Sequence, residues 1–267
     1  MRVLLYTNPN KDTNMVIAKQ VIAELKRHEV EYFIIKDKSL IAPINNDYNT
    51  VVITLGGDGT VLHSIPYCVE YNIPILGINV GNLGYLTEIE VNQIAVAIKS
   101  LKEGKYGIEK RRLLQVVFDG ATHIALNEVL FFRNTNRLIV VKLSVSDVLV
   151  DQCTSDGFIV STPTGSTAYS LACGGSIINP DCPVLALTPV NPHALRSRPM
   201  IVGDHNIVSV SLGTNAPADI VVDGNLVGTM NDTSHAELTR SKLYARFIRI
   251  DGCDDFYMKF AKKLKKP

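Results

Sequence analysis

The segment GGDGT at residues 56–60 places an aspartate in a glycine-rich turn directly after the apolar run 51–55. In α/β proteins, ligands bind beyond the carboxyl ends of such buried strands. Glycines let a backbone approach a phosphate, and the apolar residues from Val61 onward predict a helix whose first N–H groups favour an anion. A carboxylate among those donors is expected to bind a metal ion or to accept a hydroxyl proton. Asp58 is therefore the first catalytic candidate.

The GGDGT turn matches neither of two common phosphate-binding patterns, GxGxxG or GxxxxGK followed by Ser or Thr. A tight connection between a strand and a helix could use the same glycines without any ligand. Because the segment lacks the P-loop lysine, phosphoryl transfer would need the glycine backbone, a metal ion and other side chains. His63, one turn into the expected helix, is equally compatible with facing a phosphate and with facing solvent.

Two further segments carry polar groups in apolar surroundings. Asn127 and Glu128 interrupt the strand-like run 124–132, where they could bind ribose hydroxyls or a base edge, or lie at an exposed strand end. Segment 156–180 carries six Ser and Thr hydroxyls between residues 161 and 170, before a short helix. This density of donors favours a binding loop over an ordinary Ser/Thr-rich surface loop.

Other candidates have simpler explanations. His193 could reach a phosphate, but a lone histidine is more often structural, and Asp223-Gly224-Asn225 is typical of a hairpin turn. Cys153 and Cys173 have no histidine and acid at a readable spacing, so both are interpreted as buried thiols.

The secondary structure predicted for the elements that position these residues changes near Gly104. Residues 1–104 alternate apolar strands with amphipathic helices, which predicts a doubly wound parallel-sheet α/β domain. Residues 105–250 contain short β-branched runs separated by turns, which predicts a C-terminal antiparallel β domain. The segment 251–267 is amphipathic and is expected to form a helix that packs back on the first domain.

Two local features of the predicted helices are specific. Asp12 or Thr13 is expected to cap the first helix. Pro66 lies inside the helix after GGDGT, where a proline removes a hydrogen bond and clashes with the preceding turn, so a kink or an early stop is expected there.

The composition excludes some functional classes. The 267-residue chain is 46% hydrophobic with a formal net charge of +1, so it can bury a core and carries no overall field that would favour nucleic acid. Its apolar runs are shorter than the ~18 residues of a membrane span. Five cysteines without a CxxC pair favour a reduced, cytoplasmic compartment. The basic residues among 262–266 are interpreted as a solvated helix end.

Read in order, the motifs of the chain resemble those of the NAD kinase family. The motifs are GGDGT at 56–60, GxLGYLTE at 81–88, LNE at 126–128, DGxxxSTPTGSTAYSLxxGG at 156–175, PHxLxxRP at 192–199 and DG at 223–224. GGDGT also occurs in lipid kinases, but the TPTGSTAY block together with LNE is far more specific. The resemblance implies transfer of a phosphoryl group from ATP, or another donor, to the 2′-hydroxyl of the adenosine ribose of NAD, which produces NADP.

The resemblance also implies ligands and an assembly. The substrates would be NAD and ATP, a divalent cation (Mg²⁺) would assist, and the chain would form a homodimer or homotetramer without nucleic-acid or membrane partners. The alternatives are a lipid kinase of the GGDGT group and a non-catalytic NAD(P) sensor. The sequence leaves open polyphosphate as donor, NADH as acceptor, the metal ligands and feedback by NADP or NADPH.

The site residues implied by the resemblance begin with Asp58 as the group that takes the hydroxyl proton. Asn127 and Glu128 would hold the nucleotide through its base and ribose, and Asp156 would lie at the nicotinamide end. The complete nucleotide-binding set comprises Gly57, Gly59, His63, Asn127, Glu128, Asp156, Thr164, Thr167, Ala168, Tyr169, Ser170, Ala172, Asn191 and Asn225. The chain departs from the family pattern in having Thr154 for arginine, Ala172 for serine, Asn191 for alanine and Asn225 for glutamine.

Overall fold

The computed structural model describes residues 1–7, 11–35, 49–81, 84–194, 196–213 and 216–264. The chain divides into two compact units, the first formed by Met1–Lys110 with Ala245–Pro267 and the second by Arg111–Tyr244. The domain limits expected from the sequence stay a prediction. Three parts of the sequence interpretation lie outside the described residues: positions 82 and 83 of the motif at 81–88, position 195 of the motif at 192–199, and the lysines at 265 and 266.

The first unit contains a parallel sheet of four strands. They are β1 (Arg2–Thr7), β2 (Glu31–Ile35), β3 (Thr50–Gly56) and β4 (Ile75–Asn79), in the order β4-β3-β1-β2. Every residue of β3 is buried, as expected for a central strand covered on both faces. The short β5 (Ile89–Glu90) pairs with the end of β4. The apolar run 51–55 predicted as a strand, and the alternation of apolar strands with helices predicted for this part of the chain, are confirmed.

The helices of the first unit are α1 (Val16–Arg27), α2 (Asp58–Glu70), α3 (Ile94–Glu103) and α5 (Phe256–Leu264). The Asp12 carboxylate accepts hydrogen bonds from the N–H groups of Ile17 and Ala18 at 2.9 and 2.8 Å, across a short 3-10 turn. It thus satisfies two of the orphan donors at the start of α1.

The early stop expected at Pro66 is wrong, because α2 continues to Glu70. Pro66 is exposed, so solvent can reach the backbone carbonyl that loses its partner there. The rest of α2 packs apolar residues inward and so offsets the cost of the proline.

The second unit is built from antiparallel strands. In chain order these are β6 (Gly107–Phe118), β7 (Ala121–Ala125), β8 (Glu128–Arg133), β9 (Ile139–Val145), β10 (Val148–Ser155), β11 (Gly157–Ser161), β12 (Val184–Val190), β13 (Met200–Gly203), β14 (Val208–Leu212), β15 (Ala218–Val222), β16 (Asn225–Met230) and β17 (His235–Arg249). β6 and β17 begin or end in the first unit. One sheet has the order β13-β12-β11-β8-β15-β16, and β10, β9, β14 and β17 pair in a second.

The core of the second unit includes Phe131 and Phe158, both on the six-stranded sheet, packed with aliphatic side chains of the other sheet such as Val141 and Val210. The short helix α4 (Tyr169–Ala172) follows a 3-10 turn at Thr164–Thr167. The predicted fold class, a parallel α/β part followed by an antiparallel β part, is confirmed. Among the helices that the structure describes, none combines the length and apolar character required to cross a membrane.

Candidate active site

The GGDGT turn joins β3 to α2, and its glycines differ in what they contact. A Cβ on Gly56 would overlap the Thr60 hydroxyl, so packing within the protein requires glycine there. A Cβ on Gly57 or Gly59 would meet no protein atom within 4 Å, and neither residue has a positive φ. Protein packing therefore does not explain these two glycines, whereas close approach of a ligand to the backbone would.

The carboxylate of Asp58 is held by three consecutive backbone N–H groups. Tyr85 donates to Oδ2 at 2.7 Å, while Leu86 and Thr87 donate to Oδ1 at 2.9 and 3.3 Å. Asp58 is half-buried at the first position of α2. A carboxylate offers about four lone-pair sites. One acceptor site on Oδ2 thus remains for a hydroxyl group.

Gly84 makes this docking of Asp58 possible. A Cβ at position 84 would overlap Asp58 Oδ1 and would lie 2.7 Å from the Thr87 hydroxyl oxygen. Any other residue would push the carboxylate away from its backbone donors. The sequence showed Gly84 within the motif at 81–88 but gave no reason to connect it with Asp58.

A buried ionic cluster supports the segment that holds Asp58. Lys259 of α5 is 3% exposed, and its Nζ donates to the Thr87 carbonyl at 2.8 Å and to Glu88 Oε2 at 3.3 Å. Glu88 also pairs with Arg249 and accepts the N–H of Ile250 at 3.1 Å. Because every charge in the cluster has a partner, removing one would leave another buried and uncompensated.

The second unit contains a comparable arrangement at Asp223. Its carboxylate accepts the N–H groups of Leu126, Asn127 and Glu128 at 2.6, 2.9 and 3.0 Å. Asp223 and Gly224 have positive φ and form the hairpin turn between β15 and β16, so the interpretation of this pair as a hairpin is confirmed. The sequence did not reveal the second role, in which Asp223 shapes the LNE segment.

Burial and the charge of Asp223 raise the pKa of Glu128 to about 8. Burial raises the pKa of Asp223 itself to about 6, against the effect of its three backbone donors. The Oε2 atom of Glu128 is buried and has no hydrogen-bond partner among the described residues. Glu128 therefore holds its proton to higher pH than an ordinary glutamate, and its Oε2 is a buried polar atom that the described residues leave without a partner.

The hydroxyl-rich block packs directly on the LNE segment. Thr162 Oγ1 donates to the Leu126 carbonyl at 2.5 Å, and Thr162 N–H donates to the Asn127 carbonyl at 2.9 Å. A Cβ on Gly165 would overlap that same Asn127 carbonyl. The glycine thus allows the 3-10 turn to lie against Asn127.

The hydroxyls of the block divide into buried and accessible groups. Ser170 is fully buried and its Oγ lies 2.9 Å from Thr188 Oγ1. Thr164 is also buried and accepts from Arg111 at 3.3 Å. Thr167 and Ala168 are half-buried, whereas Tyr169 is 39% exposed and Ala172 is exposed.

Asp156 is paired within the second unit. It accepts from Arg133 Nε at 2.5 Å and from Asn191 Nδ2 at 3.0 Å. These hydrogen bonds hold the pKa of Asp156 below its ordinary value, and the bond from Asn191 has the larger effect. Arg133 thus provides a charged partner although Thr154 occupies the position where the family often has arginine.

The remaining candidates lie at the surface of their own units. His63 on α2 is exposed, as is His193. Asn225 is exposed after the hairpin turn and donates weakly to the carbonyls of Val222 and Asp223 at 3.4 Å.

Comparison with known proteins places the chain in a family. The model of the ATP-NAD kinase N-terminal domain matches residues 38–106, and that of the ATP-NAD kinase C-terminal domain matches residues 126–250. The chain is 33% identical to the NAD kinase of Caldicellulosiruptor saccharolyticus over 99% of its own length and 100% of that protein. The chain belongs to the NAD kinase family.

Two solved structures of NAD or NADH kinases share the fold. Yeast NADH kinase complexed with NADH matches with a TM-score of 0.84 at 22% identity, over 100% of this chain and 86% of that chain. The NAD kinase from Archaeoglobus fulgidus in complex with ATP matches with a TM-score of 0.79 at 26% identity, over 94% of each chain.

Membership of the NAD kinase family establishes the activity as phosphorylation of NAD to NADP. The kinase predicted from the motifs is confirmed. The lipid kinase and the non-catalytic sensor receive no support from these relatives. Roles of individual residues rest on the geometry described above and are proposals.

Proposed function

We propose that Asp58 accepts the proton of the NAD 2′-hydroxyl while that oxygen attacks the terminal phosphorus of ATP, whose bond to the bridging oxygen breaks and releases ADP. The observation that carries this assignment is the fixed Asp58 carboxylate, held by three backbone donors with one Oδ2 acceptor site unused. A base must lie within hydrogen-bond reach of the proton it removes, and a fixed carboxylate satisfies this geometric requirement at little entropic cost.

The open space beside Gly57 and Gly59 fits the phosphates of the donor. Both glycines lie at the start of α2, where unpaired N–H groups and the helix dipole favour negative charge. Phosphoryl transfer depends mainly on positioning and on charge stabilisation, which such donors supply.

A divalent cation would bind at this site together with the phosphates of the donor and not through protein groups alone. No group of three or more His, Cys, Asp or Glu side chains that could hold a metal occurs in the described part of the chain. Mg²⁺ is usually bound by one or two carboxylates together with substrate phosphates and water rather than by an all-protein cage. Because the one free acceptor site of Asp58 is assigned to the hydroxyl group, Asp58 would contribute negative charge near the cation, and the cation would neutralise charge on the transferring group.

The second unit is proposed to bind the nucleoside parts of NAD. The protonated Glu128 can donate to a ring nitrogen or a ribose oxygen, and the Asn127 amide can donate and accept. Tyr169 offers a partly exposed ring, with Thr167 and Ala168 beside it in the chain. The Asp156 carboxylate would face the positive nicotinamide end. His63, Thr164, Ser170, Ala172, Asn191 and Asn225 complete the proposed set.

The substitution Asp58→Asn tests the proposal. Loss of the base should reduce kcat for NADP formation by about 100-fold or more. NAD affinity, measured by calorimetry, should change less than about threefold. An asparagine amide would face a backbone donor, so thermal unfolding must be recorded with each assay.

The matched control is Asp119→Asn, at an exposed turn residue with positive φ that asparagine also tolerates. Its kcat should equal that of the native protein. If folded Asp58→Asn protein turned over NAD within threefold of the native rate, the assignment of the base would be wrong.

A reducing, cytoplasmic location and a homo-oligomeric state are further proposals. All five cysteines are free thiols in the structure, which suits a reducing compartment. Light scattering of the purified protein would test the expected dimer or tetramer.

A further inference from the structure

The proposed donor site carries an electrostatic problem. A triphosphate would approach a turn whose side chain, Asp58, is itself negative. No ion pair to Asp58 occurs within the described residues, and GGDGT contains no lysine of its own. A cation from elsewhere in the chain would reduce this repulsion.

Lys263 is the cation that the fold brings to this place. Its Nζ lies 3.7 Å from the centroid of the Tyr85 ring, and the backbone N–H of Tyr85 is one of the three donors to Asp58. Lys263 is half-buried and close enough to Asp58 for their charges to interact. Burial lowers the pKa of Lys263, while the Asp58 carboxylate raises it.

Lys263 differs from the neighbouring lysines of α5. Lys259 pairs with Glu88 and Lys262 pairs with Asp254. Lys263 contacts the ring of Tyr85, and no ion pair to it is found in the part of the chain that the structure describes. An ammonium has three donors, and those directed away from the ring are available to a ligand.

Contacts on one face of helix α5 determine the position of Lys263. Phe256, Lys259 and Lys263 follow a spacing of three and four residues, so they share one helix face. The Phe256 ring lies 6.1 Å from the Tyr85 ring, and Lys259 is buried against Thr87 and Glu88. Two anchors on the same face thus hold the helix while Lys263 extends over Tyr85.

We propose that Lys263 binds the phosphates of the donor at the GGDGT turn and thus performs the task of the missing P-loop lysine. The proposal rests on the function assigned above to this turn. A point charge on a long stem suits contact with a polyphosphate chain, because its donors can follow several oxygens.

The test compares Lys263→Met with Lys262→Met, one residue earlier on α5. Both variants keep an apolar stem and remove one charge, but Lys262 is exposed and paired with Asp254. Calorimetry with magnesium-ATP should show a donor Kd raised about 10-fold or more for Lys263→Met, the loss expected for a charged hydrogen bond. Lys262→Met should shift it less than twofold.

Three further measurements separate phosphate binding from a structural role. Lys263→Arg should restore most of the donor affinity, NAD affinity should be unchanged in all variants, and thermal unfolding should match between the two methionine variants. Parallel titrations with magnesium tripolyphosphate show whether Lys263 recognises phosphates in ATP alone or also in an inorganic chain.

Unchanged affinity of Lys263→Met for both donors would overturn the proposal, as would equal losses in the two methionine variants. These outcomes are independent of the assignment of Asp58, which is judged by kcat at saturating donor. If Asp58→Asn kept its turnover while Lys263→Met lost donor affinity, the base would be reassigned and the phosphate contact would stand.

Discussion

Asp58 and Asp223 use the same structural device in two different units. Each follows a β-strand, β3 or β15, and each accepts hydrogen bonds from three consecutive backbone N–H groups of another segment. The segments are residues 85–87 for Asp58 and residues 126–128 for Asp223. In both places a carboxylate fixes the path of a loop that local sequence alone would leave undetermined.

The two carboxylates differ in their charged neighbours. Asp58 is half-buried and lies near the ammonium of Lys263, so it keeps access to a ligand. Asp223 is also half-buried and lies beside Glu128, another carboxyl, whose pKa rises to about 8. The same backbone arrangement thus holds a carboxyl group near a cation in one unit and beside a second carboxyl group in the other.

The largest expected effect concerns the backbone donors that hold Asp58. In Gly84→Ala the new Cβ would overlap Asp58 Oδ1 and displace it from its backbone donors. We expect kcat for NADP formation to fall about 100-fold, because a displaced base loses its reach. Steady-state kinetics measures this loss.

Gly107→Ala is the control for Gly84→Ala, since its Cβ would lie 3.9 Å from the Arg249 Cβ, an ordinary contact. That variant should keep native kcat. A Gly84→Ala protein with native kcat would show that Asp58 works without its backbone donors.

The substitution Asp223→Asn disrupts the corresponding hydrogen bonds in the second unit. An asparagine has one acceptor oxygen, so one N–H of the LNE segment loses its partner and faces an amide donor. The free energy of unfolding, measured in urea, should fall by about 2 kcal/mol, and the KM for NAD should rise. The value of kcat should change far less than in Asp58→Asn.

The exposed turn variant Asp232→Asn serves as a control and should retain native stability. Equal losses of kcat in Asp223→Asn and Asp58→Asn would contradict the division of roles between the two carboxylates.

The smallest expected effect is a dependence of stability on pH that is due to Glu128. The pKa of Glu128 is raised in the folded protein from 4.5 to about 8, so its contribution to stability is present at low pH and is lost as pH rises through about 8. The slope in this window is at most about 1.4 kcal/mol per pH unit. Urea unfolding between pH 6.5 and 8.5 should therefore show a steeper decline for the native protein than for Glu128→Gln.

The chosen window avoids the titration of Asp223, whose pKa of about 6 lies below it. Parallel stability profiles for native protein and Glu128→Gln would mean that Glu128 ionises normally.

Much of the fold could be predicted because its signals are local. The strands of the parallel sheet are continuous apolar runs, and GGDGT stands at the end of one of them. The early stop expected at Pro66 was wrong because the packing of α2 outweighed one lost hydrogen bond.

The functional contacts that escaped prediction are distant in sequence. Asp223 has a sufficient local explanation as a hairpin residue, and its partners lie about a hundred positions earlier. Lys263 belongs to a basic helix end that ordinarily faces solvent, yet it contacts Tyr85. Periodicity cannot reveal such pairs, because they depend on how separate segments are brought together.

The bond from Lys259 to the Thr87 carbonyl joins residues 172 positions apart. Ribosomal synthesis delivers the GGDGT turn early and α5 much later. In a nascent chain whose helix α5 has not yet left the ribosome, Glu88 would lack its partner Lys259. The loop at residues 85–87, which binds Asp58, would lack the support of that lysine. Catalytic competence in this fold is thus expected to arise late, after the polypeptide has emerged beyond residue 259.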